Sequence, residues 1–420
     1  MKIPLKKADI LLPNEADMNK WSVIACDQYT SEPKYWSEVE QIVGDEPSTF
    51  KITLPEIYLE QQDVANRIEK INKEMDRLLN TGFFRTLKDS LIYLERTQVN
   101  GKIRKGIIGI VDLEDYSYDK GSKTLIRATE GTVLERIPPR VKVRQNAALE
   151  LPHVMLLIDD EKKEIIESLT NKVTQDEIVY DFDLMQNGGH VKGYKIKDDL
   201  VNYIFNVLEE LADINNFENK YNVKDKGILL FSVGDGNHSL ATAKACYENL
   251  KKQLTKEEYE NHPARYALVE IVNVHSEALE FEPIHRVVFG IDPEHMMSEF
   301  RNYYETSEMY TQGQKIVYIY ENKQGEIYIN NPKSNLAVGS LQLFIDDYIS
   351  KNGGKVDYIH GDDVTKKIGS EKGNIGFLLP NMNKSELFKT VILDGALPRK
   401  TFSMGHSYDK RYYLESRKIK

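Results

Sequence analysis

The segment Gly234-Asp235-Gly236-Asn237-His238-Ser239 puts a carboxylate, a carboxamide, an imidazole and a hydroxyl side by side around a pair of glycines. Residues 228–233 before it are apolar and rich in strand formers, and residues 240–245 after it favour helix. Asn237 and Ser239 suit a helix N-cap. The pattern predicts a buried strand that turns on glycine into a helix. Such a junction aims backbone N–H groups and the positive end of the helix dipole at one point, which suits a phosphate or carboxylate. Asp235 and His238 would stand beside that cradle as acid and base, the equipment of phosphoryl or acyl transfer. The competing reading is a plain strand–helix junction with Asp235 as a local cap.

Other segments carry weaker signals. Arg127 and Glu130 lie three apart between a strand-like run and Gly131, where one could hold a charged substrate and the other act as base; a surface ion pair is the simpler alternative. Residues 138–144 are basic in an acidic chain. His285 and Arg286 precede a short apolar run, and on a strand they would face opposite ways. Arg399, Lys400 and Thr401 look like an anion clamp, although further basic residues follow at Lys410, Arg411, Arg417, Lys418 and Lys420 and could form an ordinary positive surface. Residues 360–363 include metal-capable side chains at no recognised ligand spacing. No P-loop, dinucleotide-binding glycine pattern, serine elbow or HExxH is present.

The chain has 420 residues, 40% hydrophobic and 29% charged, with a formal net charge of −10. That is a globular composition with room for two or three domains. The acidic balance argues against nucleic acid as a partner. No apolar run is long enough for a membrane span, and no leader segment is evident. Cys26 and Cys246 make neither a disulfide framework nor a metal knuckle, which points to the cytoplasm.

Strands are expected at 21–26, 91–96, 106–112, 154–159, 228–233, 265–273, 375–379 and 390–393. Asn100-Gly101 is expected to turn a hairpin. Helices are expected at 33–43, within 57–80, and at 140–149, 161–175 and 198–212. Strands and helices mix without strict alternation, so the expected class is α+β with a mixed sheet.

Taken together, Arg127-x-x-Glu130, the Gly234–Ser239 turn, Pro283-Ile284-His285-Arg286 and Pro398-Arg399-Lys400-Thr401-Phe402 resemble, in order, the motifs of the bacterial family catalogued as domain of unknown function 1015. Many relatives carry DGHHR at the turn and a His-Glu pair in the earlier motif. Here Asn237 replaces the first histidine, Ser239 the arginine, and Thr129 precedes Glu130. The turn also resembles that of the ParB/sulfiredoxin-like superfamily, which includes free-serine kinases.

The resemblance implies a ParB/sulfiredoxin-like core at 116–298, an N-terminal α/β region at 1–115 and a C-terminal α/β region at 299–420 that returns to the site. It implies transfer of a phosphoryl group from pyrophosphate, ATP or ADP to L-serine, with Mg²⁺. By position, Glu130 would be the base, Asp235 a second acid/base or metal ligand, and His238 a third catalytic group. Arg127, Thr129, Gly234, Gly236, Asn237, Ser239, His285, Arg286, Arg399, Lys400 and Thr401 would bind phosphate or substrate. Homo-oligomer formation stays open. The rival expectations are a phosphatase or nucleotide hydrolase at the same site, and a nucleotide-dependent DNA-binding switch.

Overall fold

The computed structural model describes residues 3–131, 134–398 and 400–420. They form two compact units, Met1–Leu279 with His406–Lys420, and Glu280–Gly405. The expected boundary at 298/299 falls inside the helix Pro293–Tyr303. The one at 115/116 falls inside the first unit.

Period-two alternation builds the first unit. Leu91, Tyr93, Ile107, Val111, Val269 and Ile271 point to one face of its sheet. Ile92, Leu94, Ile108, Ile110 and Leu268 point to the other. The strands run in the order Ile178–Asp183, His190–Lys195, Ile92–Thr97, Ile103–Asp112, Tyr266–Asn273, Met155–Ile158, Phe231–Asp235, Ile126–Ala128 and Tyr116–Ser117, with Leu5–Lys6 added on Ile103–Asp112. The first five pair antiparallel. Tyr266–Asn273 with Met155–Ile158, and Phe231–Asp235 with Ile126–Ala128, are parallel. The sheet is therefore mixed, and the class is α+β.

Helices Asp198–Leu211 and Asn237–Lys251 cover the first face through Val201, Ile204, Leu208, Leu240 and Ala243. Helix Pro33–Val43 and the C-terminal segment cover the second through Trp36, Val39, Val43, Tyr412 and Leu414. Burying each of these large apolar side chains contributes about 1.5–3 kcal/mol. The second unit is an antiparallel sheet with Phe281–Phe289 between Lys355–His360 and Asn374–Leu378, and Phe402–Met404 pairs with the start of the same strand. No helix among the described residues is long and apolar enough to cross a membrane.

Four expected elements are corrected, among them the helix at 140–149, which runs over Ile137–Arg144 and gives way to a short strand at Leu149–Glu150. Residues 21–26 form no strand: Met18–Trp21 is helical, and the next residues bond the C-terminal segment, Ala25 N–H to Arg411 O at 2.8 Å and Tyr413 N–H to Val23 O at 2.7 Å. Residues 161–175 form no α-helix, because Asp160 Oδ2 accepts the Ile165 N–H and only a short 3-10 turn follows at Glu167–Asn171. Residues 390–393 lie in the helix Lys384–Asp394, capped by Asn383 and Glu386, whose Leu387, Phe388, Val391 and Ile392 are buried at helical spacing. The β-branched run Thr390-Val391-Ile392 suggests a strand, but the capping box of Asn383 and Glu386 starts a helix that carries it.

The C-terminal segment is locked by buried charge. Glu270 is fully buried and accepts from Arg411 Nη1 at 2.6 Å and Arg104 Nε at 3.2 Å. Arg411 also bonds Glu415 and Pro152 O. Tyr180 donates to Glu415 at 2.6 Å. A Cβ on Gly106 would meet Glu270 Oε1 at 2.7 Å, so the strand beside the carboxylate needs glycine. Burial opposes ionisation of Glu270, but Arg104 and Arg411 outweigh it and hold the carboxyl below its ordinary value.

Glu270→Gln, which leaves two buried guanidiniums facing a neutral amide, is expected to cost about 3–5 kcal/mol in chemical denaturation. A second outcome concerns His190, whose ring nitrogens each bond a carboxylate at 2.7 Å, Asp183 and Asp181. Partial burial lowers the His190 pKa, but the two carboxylates outweigh it and raise it above the ordinary value. A raised folded pKa stabilises below the unfolded pKa and the gain is lost as pH rises through the folded one. Wild type should therefore exceed His190→Gln in stability at about pH 5.5, and the gap should close by about pH 9.

Candidate active site

Strand Phe231–Asp235 ends in a register shift between Val233 and Asp235 against Met155–Ile158. The extra residue is Gly234, a bulge that shifts the register so that Asp235 pairs with Met155 at the strand end. Gly236 follows at φ 78°, the left-handed region, and caps helix Asn237–Lys251. A Cβ there would sit 3.0 Å from Val154 Cα, so space and conformation both select glycine. Strand, glycine turn and helix are as the sequence predicts, but the strand begins at Phe231 instead of Ile228, and Gly236, not Asn237 or Ser239, caps the helix.

Asp235 Oδ1 accepts the Gly236 N–H at 2.9 Å, and Oδ2 lies 3.2 Å from Lys410 Nζ. Leu240 N–H to Gly236 O is the helix's opening bond, so the amides of Asn237 and Ser239 precede it. Asn237 Nδ2 donates to Thr129 Oγ1 at 3.3 Å, and Thr129 donates to Val233 O at 2.6 Å. Asn237 Oδ1 is buried with no hydrogen-bond partner among the described residues. His238 is half-buried on the first turn, and its carbonyl accepts from Thr242. Parallel pairing of Ile126–Ala128 with Phe231–Asp235 delivers Thr129 and half-buried Glu130 beside the glycine turn. The two strongest sequence motifs thus meet through one strand pair.

The structure gives other expected residues different work. Arg127 is buried and donates to carbonyls of Thr124 at 2.9 Å and Gly227 at 2.7 Å, closing the loop below the turn; burial pushes its pKa down to about 10. Ser239 Oγ lies 2.6 Å from His153 Nε2 and so faces the helix flank. In the second unit, His285 is buried between Asp362 Oδ1 at 2.9 Å and the Leu379 N–H, and burial lowers its pKa. Arg286 is buried beneath Tyr358 and donates to Ile284 O, Lys400 O and Gln342. Thr401 donates to Pro398 O. These three hold their own loop and strand together. Lys400 is exposed at a left-handed φ of 54°. Arg399 lies outside the described residues.

Lys410 and His153 were missed. Both sit far from the turn in sequence, and Lys410 stood among residues readable as a basic surface. Also missed was a group at the opposite end of strand Met155–Ile158, roughly 13 Å away at about 3.3 Å per residue. There Asp159, Glu161 and His275 bring ligand atoms within 4.8 Å of one another. Asp159 bonds His275 at 2.6 Å, and Lys220 Nζ lies 3.0 Å from Asp159 and 3.7 Å from Glu161. Magnesium prefers oxygen donors. An imidazole and an ammonium already seated on the carboxylates do not fit it. Asp235 also carries an ammonium, Lys410 at 3.2 Å, but no imidazole, and magnesium commonly binds one or two carboxylates together with substrate phosphates and water.

A family model described as "Protein of unknown function (DUF1015)" matches residues 8–347. The chain belongs to that family. Among curated proteins, none matches this DUF1015 chain. Among solved structures, a free serine kinase variant in complex with ADP is similar at 10% identity and TM-score 0.38, covering 76% of this chain and 93% of that one. A C-terminally truncated SbnI from Staphylococcus aureus is 10% identical at TM-score 0.36, covering 71% and 83%. A conserved hypothetical protein from Pyrococcus furiosus is 11% identical at TM-score 0.33, covering 74% and 94%.

If the turn is an anion cradle, titration calorimetry with inorganic phosphate should detect binding, and Lys410→Ala should weaken it roughly tenfold, the worth of one charge-assisted hydrogen bond. Unchanged affinity would take Lys410 out of the cradle.

Proposed function

We propose that this DUF1015 protein is a small-molecule phosphotransferase, with free L-serine as acceptor and pyrophosphate or an adenine nucleotide as donor. The observation that supports the reading is the meeting of Asp235, Lys410 and the opening amides of helix Asn237–Lys251 at one glycine turn, with Glu130 two residues past the strand paired to it. The motif resemblance to free-serine kinases supplies the acceptor. The free cysteines Cys26 and Cys246 suit the cytoplasm as its compartment.

Glu130 takes the proton of the acceptor hydroxyl as its oxygen attacks phosphorus. The bond from phosphorus to the donor's leaving oxygen breaks, and His238 on the first turn would hold or protonate that oxygen. The helix amides and the Lys410 ammonium balance charge on the equatorial oxygens, where electrostatic stabilisation contributes most to phosphoryl transfer. Asn237 keeps Thr129 and the first turn in register, which leaves its buried Oδ1 as an acceptor for the substrate's ammonium or hydroxyl. Mg²⁺, arriving with the donor and held by Asp235, would neutralise phosphate charge.

The test is ³¹P NMR of the purified chain with L-serine and Mg²⁺ plus pyrophosphate, ATP or ADP in turn. A phosphomonoester signal of O-phosphoserine should grow with at least one donor. Glu130→Gln and Asp235→Asn should each slow it about 10²–10⁴-fold while thermal unfolding stays cooperative. Serine-independent release of inorganic phosphate would make the protein a hydrolase, and silence with every donor would remove the reading.

A further inference from the structure

Ser239, released from the cradle, belongs to a second arrangement. Its Oγ lies 2.6 Å from His153 Nε2; His153 Nδ1 lies 2.8 Å from Tyr413 Oη; and Tyr413 donates to Cys26 Sγ at 3.0 Å. With the Tyr413 proton on the thiol side, the network assigns a proton to His153 Nδ1 and leaves Nε2 as acceptor of the serine proton. Tyr413 also packs edge-on against the imidazole, with ring centroids 5.5 Å apart, and His153 is 8% exposed. The ring is thus held on both nitrogens in one orientation. Burial pushes the pKa values of Cys26 and Tyr413 well above their ordinary values, so both stay neutral and Cys26 is no rival nucleophile.

Ser239 and His153 form part of the wall of a cavity of ≈ 160 Å³. Most of the remaining wall is apolar, including Ile71, Met75, Val143, Leu240, Ala243 and Leu268. A dry cavity of about that size accommodates a benzene ring. Arg140 and Arg144 also line it, and their charges are met by Glu56 and Glu150. The cavity therefore suits an uncharged apolar group better than a phosphate. Ser239 stands on the opening turn of helix Asn237–Lys251, whose amides and dipole favour negative charge next to it.

We propose that Ser239 and His153 are a nucleophile–base pair that hydrolyses small esters, with the apolar acyl group in this cavity. Ser239 Oγ bonds to the ester carbonyl carbon as its proton passes to His153 Nε2. The carbonyl oxygen carries the negative charge against the helix amides. Collapse breaks the carbon–alkoxide bond, and the alcohol leaves with the proton from His153. Water then adds to the acyl-serine, giving its proton to His153, and the serine oxygen leaves with that proton. The sum is ester plus water to acid plus alcohol. Tyr413 is a positioning residue; as a neutral partner it stabilises the imidazolium less than a carboxylate would, so turnover should be slow and acyl-enzyme should accumulate.

The full-length chain is tested with p-nitrophenyl acetate and butyrate, and separately with a fluorophosphonate probe followed by intact-mass and peptide analysis. The expected results are a burst of about one nitrophenolate per chain, a kcat/KM roughly tenfold higher for butyrate than acetate, and a single adduct on Ser239. Ser239→Ala should lose burst and adduct. His153→Asn should lose the burst as well. An adduct elsewhere, no adduct on the folded wild-type protein, or equal hydrolysis by Ser239→Ala would overturn the proposal. No phosphate donor is involved, so this outcome is independent of the phosphotransferase reading.

Discussion

The buried carboxylate of Glu270 decides where the segment His406–Lys420 runs. It lies on strand Tyr266–Asn273 at the centre of the sheet and faces Arg104 from the neighbouring strand and Arg411 from the C-terminal segment. A charge this deep is tolerable only when it is paired and hydrogen-bonded. The pairing draws Arg411 down to the sheet, and its chain neighbours follow. Lys410 comes to Asp235 at 3.2 Å and Tyr413 comes to His153 at 2.8 Å. Each residue serves a different side of the same turn, so one ion pair positions a cation for the cradle and a hydroxyl for the imidazole.

Against that anchor, the glycine turn is shaped by local sterics. The bulge at Gly234 shifts the register so that Asp235 pairs with Met155 at the strand end, and Gly236 takes a backbone conformation and a closeness to Val154 that a side chain would forbid. The helix then begins with amides that precede its first internal bond, on the turn that Asp235 and Ser239 share. Asn237 and Thr129 tie the helix start to the adjacent strand end. The result is a rigid rim with an anion-favouring side toward Lys410 and an apolar flank toward the cavity at Ser239.

How much of this the sequence shows depends on the range of the interaction. Gly234–Ser239 is legible because its constraints act between residues a few positions apart. The hairpin of Ile92–Thr97 and Ile103–Asp112 is legible for the same reason, from alternation around Asn100-Gly101. The meeting of Glu130 with the turn depends on a parallel pairing across about a hundred residues, and only motif resemblance hinted at it. Lys410, His153 and Tyr413 carry no local mark, since their roles exist only after Arg411 finds Glu270. Arg127 and Arg286 misled for the converse reason. An arginine that satisfies buried carbonyls and one that awaits an anion are identical in sequence.

The central claim is that the anchor at Glu270 positions the site, and the most direct measurement is phosphate affinity in an Arg411→Leu variant alongside hydrogen exchange of residues 406–420. Arg411 does not touch the turn, yet the account predicts that its loss frees the segment to exchange and weakens phosphate binding as much as removing the Lys410 ammonium does. A segment that exchanges rapidly while phosphate affinity stays at the wild-type value would contradict it.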